Sequence, residues 1–316
     1  MKYSLKSLIL TGIGTILFLT GCGENSVKNQ PVVSQKPTST QEKIDPETKE
    51  KTLDLMVSIA PQKYFVEKIG GDRIRVNVMV DPTVEPEIYE PKPQQLSSLE
   101  DTEGYITIGL PFENKWLDKF KSINPQMAII DSTQGIERLE MVDHDHGHEE
   151  ESHAEETLDP HIWLSPALVK KQAQNIYEEL IKLDPSNQKF YQENLAQFLT
   201  EIDQLDQEIT NNLKDINNRK FIVFHPAWTY FAKDYNLEQI PVEVGGQEPS
   251  AAELAQLITT AKNENIKVIF VQPEFKIKSA QTIAQEIKGE VIMINPNDPD
   301  WAENLLKVSE VFKTKL

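Results

Sequence analysis

The chain has 316 residues, with 32 basic and 50 acidic side chains and a formal charge of −18. That balance argues against a nucleic-acid partner and leaves cations as natural ligands. A single cysteine, Cys22, excludes an internal disulfide.

The N-terminus carries Lys2 and Lys6, an apolar run over residues 8–19, and then Leu19-Thr20-Gly21-Cys22. This reads as a secretory signal over residues 1–22 with a lipobox-like end, and a cysteine just after a small-residue cleavage site suggests lipidation of Cys22. The other reading is an uncleaved membrane helix with a fortuitous cysteine. It suffers from a run shorter than the roughly 20 residues that a span needs. On the first reading the mature protein is periplasmic or extracytoplasmic, lipid-anchored on the outer face of a bacterial inner membrane. Residues 23–51, rich in Ser, Thr, Gln, Pro and Lys, read as a flexible tether.

From residue 52 onward, strands and helices are expected to alternate. Residues 53–58 look like a buried strand, 61–69 a helix opened by Pro61, and 73–80 a second strand. A helix over 93–99 and strands over 104–109 and 127–130 follow, and a helix is expected over 166–183. The alternation implies a parallel sheet covered by helices. After Asp184-Pro185-Ser186, apolar residues recur every three or four positions from Tyr191 to Ile216 with no proline or glycine between them. One helix over 186–215 would run about 45 Å at 1.5 Å per residue, longer than one small domain is wide. A rigid strut joining two lobes and a coiled-coil dimer both fit this segment. Strands over 220–224, 266–271 and 290–294 and helices over 251–263, 279–287 and 301–312 complete the pattern. The fold class expected is α/β, with two (β/α) lobes joined by one long helix. The lobes are placed at residues 52–185 and 217–316, with the linking helix at 186–216.

The six histidines are unevenly placed. His144, His146, His148 and His153 crowd an acidic loop over 143–156, which cannot bury a core but offers imidazoles among carboxylates, a ligand set suited to zinc and similar ions. It also reads as a plain solvated insertion. His161 and His225 stand alone, in Asp159-Pro-His-Ile-Trp-Leu-Ser165 and Phe224-His-Pro-Ala-Trp-Thr-Tyr-Phe231. With Glu85-Pro-Glu-Ile-Tyr-Glu-Pro91 and Asn295-Pro-Asn-Asp-Pro-Asp300, these segments fall after predicted strands, where α/β sheets bind ligands. Trp163 and Trp228 read as packing residues.

At these residues the chain resembles the cluster A-I metal-binding lipoproteins, the substrate-binding subunits of zinc and manganese ABC transporters. Asp-Pro-His-Ile-Trp-Leu-Ser-Pro is close to that family's signature. The segment around His225 with Tyr230, Phe231 and Tyr235, and Glu248-Pro249-Ser250, also match. The resemblance implies a TroA-like fold with a metal buried between the lobes. It also implies a monomer that captures the ion outside the membrane and delivers it to an ABC permease and its ATPase. The family's four ligand positions fall on Glu87, His161, His225 and Asn295. Glu87 stands where the family has a histidine, Asn295 where it often has an aspartate, and Gln272 where it has a glutamate. Glu90, Asp298 or Asp300 could supply a missing oxygen. Glu87, His161 and His225 suit zinc with an open fourth position, while the carboxylate makes manganese more credible than three histidines would. Three rival readings are a zinc metallohydrolase, which lacks a His-Glu-x-x-His helix and an evident general base, a storage or adhesion protein working without a permease, and a carrier of a metal chelate or haem.

Overall fold

The computed structural model describes residues 52–141, 158–243, 246–275 and 278–316. The signal segment with Cys22, the tether, and the acidic loop with His144, His146, His148 and His153 lie outside them. Among the described residues no helix is long and apolar enough to cross a membrane.

The first half runs β1 (Leu53–Val57), α1 (Ala60–Gly70), β2 (Ile74–Val78), α2 (Pro93–Ser98), β3 (Gly104–Thr107), α3 (Pro111–Ile123), β4 (Ala128–Asp131) and α4 (Pro166–Leu183). Then comes α5 (Gln188–Leu213). The second half runs β5 (Lys220–Val223), α6 (Thr229–Asp234), β6 (Glu238–Pro241), α7 (Ala251–Asn263), β7 (Val268–Val271), α8 (Lys278–Ile287), β8 (Glu290–Met293) and α9 (Trp301–Lys315). Each half holds a four-stranded, wholly parallel sheet, in the orders β2-β1-β3-β4 and β6-β5-β7-β8. The two orders are the same topology used twice, and the expected α/β class with a long helix is what the chain adopts. The direction of winding reverses between β1 and β3 and again between β5 and β7. Such reversals open a crevice at the carboxyl ends of the strands.

Three elements were not foreseen. Pro111 opens α3 and Glu113 folds back at its third position, taking N–H bonds from Ile108, Gly109 and Leu110, while Phe112 and Phe120 are buried on its inner side. The short α6 and β6 lie between His225 and Glu243, where Pro226 and Pro241 obscure the pattern. β2 is shorter than expected, because Arg73 belongs to a turn of 3-10 helix. Met79 and Val80 nonetheless continue bonding to Val57 and Ser58.

The strut is α5, 26 residues or about 39 Å long. Tyr191, Leu195, Phe198, Ile202, Leu205, Ile209 and Leu213 are all buried along one face, against α1 and α4 from the first half and α9 from the second. That face is consumed within the chain, so it is not available to a coiled-coil partner. The halves also share one apolar core. Trp301 of α9 packs edge-on against Phe65 of α1 at 5.1 Å between ring centroids. Its indole N–H donates to the Trp163 carbonyl (2.7 Å), and the Trp163 indole N–H donates to the Pro296 carbonyl (2.8 Å).

Candidate metal centre

His225 is the second residue beyond β5. Its main chain is pinned by Gln272, the first residue beyond β7, whose side-chain amide accepts the His225 N–H (3.3 Å) and donates to the His225 carbonyl (2.7 Å). Only an amide does both, since an ionised glutamate cannot donate. This gives the Gln272 departure a physical sense. The ring is fixed by the Glu243 carboxylate, 2.5 Å from Nδ1, and by Phe275 lying nearly parallel at 5.4 Å.

His161 precedes a 3-10 turn, Ile162–Leu164, that leads into α4. Asp159 accepts both its main-chain N–H (2.9 Å) and its Nδ1–H (2.7 Å). The Tyr230 hydroxyl, from α6 in the other half, donates to the Asp159 carbonyl (2.8 Å) and accepts from the Leu139 N–H (3.0 Å). Trp163 lies beside the His161 ring at 5.0 Å. Glu87 sits in the loop between β2 and α2. The next-but-one residue, Tyr89, is buried against Phe112 and donates to Gln95 (2.6 Å).

The three side chains converge. Glu87 Oε1 is 2.9 Å from His161 Nε2 and 3.7 Å from His225 Nε2, and the two Nε2 atoms are 3.4 Å apart. Both imidazoles are buried, and the Glu87 side chain is 12 % exposed. A carboxylate only accepts, so Asp159 and Glu243 each require the hydrogen on Nδ1 and leave Nε2 as a bare lone pair when the ring is neutral. In that state neither oxygen of Glu87 has a donor. Three Lewis bases then point at one small volume that holds no hydrogen.

In the metal-free site, protons fill that role. Burial opposes a charged His225, but Glu243 and Glu87 outweigh it and raise its pKa to about 10. Burial likewise opposes the charge on His161, and Asp159 and Glu87 prevail and raise it. Glu87 is pulled well below the usual carboxylate range by the two imidazoliums, against a desolvation cost that acts the other way.

Glu87, His161 and His225 are the three-residue group of acidic, histidine or cysteine side chains suited to a metal ion among the described residues, their donor atoms lying within 4.8 Å of one another. Neither Glu90, Asp298 nor Asp300 is part of it. Glu90 is exposed, Asp298 accepts the Asp300 N–H (2.9 Å), and Asp300 lies at the start of α9. Asn295 lies two residues beyond β8 and turns its side-chain oxygen to the Asn297 N–H (2.9 Å). Glu243 had no motif to single it out, and Asp159, which does for His161 what Glu243 does for His225, was visible only as the start of a signature.

A family model described as the periplasmic component A of the zinc-uptake complex, ZnuA, matches residues 55–308. The chain belongs to that family. The high-affinity zinc uptake system protein ZnuA of Bacillus subtilis (strain 168) is 31% identical over 288 residues, covering 88% of this chain and 84% of that protein. The zinc-binding lipoprotein AdcA of Streptococcus pneumoniae (strain ATCC BAA-255 / R6) is 28% identical over 274 residues, and this chain spans 54% of its length. A crystal structure of a ZnuA, 50% identical, fits with a TM-score of 0.78 over 84% of this chain and 99% of that one. A 138–173 deletion mutant of ZnuA with zinc bound fits with the same score over 98% of its chain. As a component A protein the chain is a transport subunit and not an enzyme, which sets aside the metallohydrolase reading.

Proposed function

We propose that the protein captures Zn²⁺ outside the inner membrane, with Glu87, His161 and His225 as its ligands, and delivers it to an ABC permease and its ATPase. The observation that carries this reading is the convergence of three lone-pair donors within 4.8 Å, each imidazole backed by its own carboxylate. Two imidazoles and one carboxylate make a donor set that zinc accepts with a fourth position to fill. The zinc-bound relative and the zinc-binding names of the others support the choice of ion. Manganese remains the second reading because Glu87 is a harder donor than an imidazole. Asn295 is proposed as an oxygen near the fourth position, and the acidic loop as a set of weaker, exchangeable ligands at His144, His146, His148 and His153. Lipidation at Cys22 would hold the protein at the membrane surface, with the lobes at residues 52–185 and 217–316 acting on either side of the helix at 186–216.

The experiment is competitive Zn²⁺ and Mn²⁺ titration of the mature chain against the His161→Ala/His225→Ala variant, which keeps the acidic loop. One tight equivalent of zinc present in the native chain and missing in the variant is the expected result. Equal binding by both would remove the assignment, and a manganese preference would move the protein to the second reading.

A further inference from the structure

The two imidazoles of the site come from different halves, yet one segment of the second half reaches both. His225 lies in that segment, and Tyr230, at the start of α6, sends its hydroxyl across to the first half. There the hydroxyl donates to the Asp159 carbonyl (2.8 Å) and accepts the Leu139 N–H (3.0 Å), while the Asp159 N–H donates to the Leu139 carbonyl (2.9 Å). Tyr230 and Asp159 are both buried, and a buried main-chain group without a partner is costly. A hydroxyl donates and accepts at once, so a single oxygen joins the two stretches. Asp159 in turn meets His161 through Oδ1, at the main-chain N–H and at Nδ1, and its buried Oδ2 has no partner among the described residues. The carboxylate is therefore placed by its main chain, and Tyr230 is the hold that the second half has on that main chain. Glu243 differs, because its N–H bonds the Phe224 carbonyl of its own half, next to His225 (3.1 Å). On the far side of His161, Trp163 and Ser165 are held from the second half as well, by Trp301, the Pro296 carbonyl and Asp234.

Resting on the cleft reading above, we propose that Tyr230 is a positioning residue for metal capture: its hydroxyl holds Asp159 so that the His161 ring presents Nε2 at the spacing the His225 ring requires. The 3.4 Å between the two Nε2 atoms is then set by one segment, which supplies His225 as a ligand and governs His161 through Tyr230 and Asp159. His161 belongs to the first half by sequence and to the second by its bonds, and Glu87 is the donor that the first half contributes on its own. A ring pair held at a fixed spacing spares the ion the cost of ordering one of them.

The test is Tyr230→Phe in the mature chain, which removes one oxygen. Zinc affinity in chelator competition is expected to fall about tenfold, the lower end of what outer partners of a ligand contribute. The same substitution should cost about tenfold again in a Glu243→Gln background and nothing further in Asp159→Ala, where the link to His161 is already cut. In the zinc-loaded, ¹⁵N-histidine-labelled protein the Nδ1–H signal of His161 should move and that of His225 should stay. Unchanged affinity with an unmoved His161 signal would overturn the proposal, as would an equal loss in all three backgrounds, which is the mark of a residue that only supports the fold. The native chain offers a measurement that needs no variant. Coupling between sites is reciprocal, so zinc at His161 should slow hydrogen exchange of the Leu139 amide, and equal exchange with and without zinc would count against Tyr230. The His161→Ala/His225→Ala variant separates the two claims. If native chain and double variant bind zinc alike, the cleft reading fails and Tyr230 with it; if they differ while Tyr230→Phe binds as native, the cleft stands and Tyr230 positions nothing.

Discussion

His225 and Glu87 face the same point from supports of opposite kind. His225 follows a central strand and is held at its main chain by Gln272, at Nδ1 by Glu243 and on its face by Phe275. Glu87 hangs from a long loop with Val84 and Ile88 exposed beside it, and with no donor to its carboxylate when both rings are neutral. A rigid ligand sets where the ion sits, whereas a ligand on a loop can leave. The second half is therefore expected to retain the ion and the loop before α2 to release it, and the core shared around Trp301 joins the two halves.

The largest effect is expected where the two halves are joined. Trp301→Ala removes a fully buried ring and the indole bond to Trp163, and it should cost about 3–5 kcal/mol of unfolding free energy in a denaturant titration. A cost below about 1 kcal/mol would show that the halves do not depend on this contact.

His225→Ala is expected to weaken zinc by about 100- to 1,000-fold in chelator competition, by removal of one of the ligands that share a total of about 10–16 kcal/mol in tight zinc sites. Glu87→Gln should lose less in affinity but release zinc faster in stopped-flow. Release from Glu87→Gln no faster than from the native chain would reverse the roles assigned to the two supports. Glu87→His should instead move selectivity toward zinc over manganese by about tenfold, read from paired titrations of the two ions.

Glu243→Gln keeps the shape and loses the charge that fixes the His225 tautomer, and about 10- to 100-fold in zinc affinity should go with it. The remaining lever is pH. His225 is raised to about 10 and His161 is raised as well, so at neutral pH the metal-free site holds protons that the ion must displace. Affinity should therefore rise as pH rises and fall as it drops, by about tenfold per pH unit for each proton released. Calorimetry in buffers of different ionisation enthalpy counts those protons. Affinity flat between about pH 6 and about pH 8 would mean that the rings are neutral before the ion arrives.

The legible parts of the fold were those with a clean period. Residues 166–183 were expected as a helix and form one over the same span, because Ser165 caps it, Pro166 opens it and the apolar positions recur at helical spacing. The α3 helix was missed although Pro111 and Glu113 mark its start, since its core side carries aromatic residues spaced among lysines. The β6 strand was missed because four residues ending in proline give too little alternation to read. At the site, His161 and His225 were visible as isolated histidines in motifs after predicted strands. Glu243 was not, for an acidic residue in a short loop looks the same whether it faces solvent or an imidazole.

What the sequence determined by itself was local and periodic: where strands and helices alternate, that one uninterrupted helix links two sets of them, and which residue types could hold a cation. Those properties follow from spacing, capping and side-chain chemistry, which are carried by neighbours along the chain. Only the tertiary structure decided that α5 turns its apolar face to both halves, that Asp159 and Glu243 set the tautomers, and that Glu87 lies 2.9 Å from His161 across 74 positions of sequence. The physical reason is that a buried charge is defined by what surrounds it. The surroundings here are assembled from separate strands, turns and a loop that meet when the two sheets close on one core.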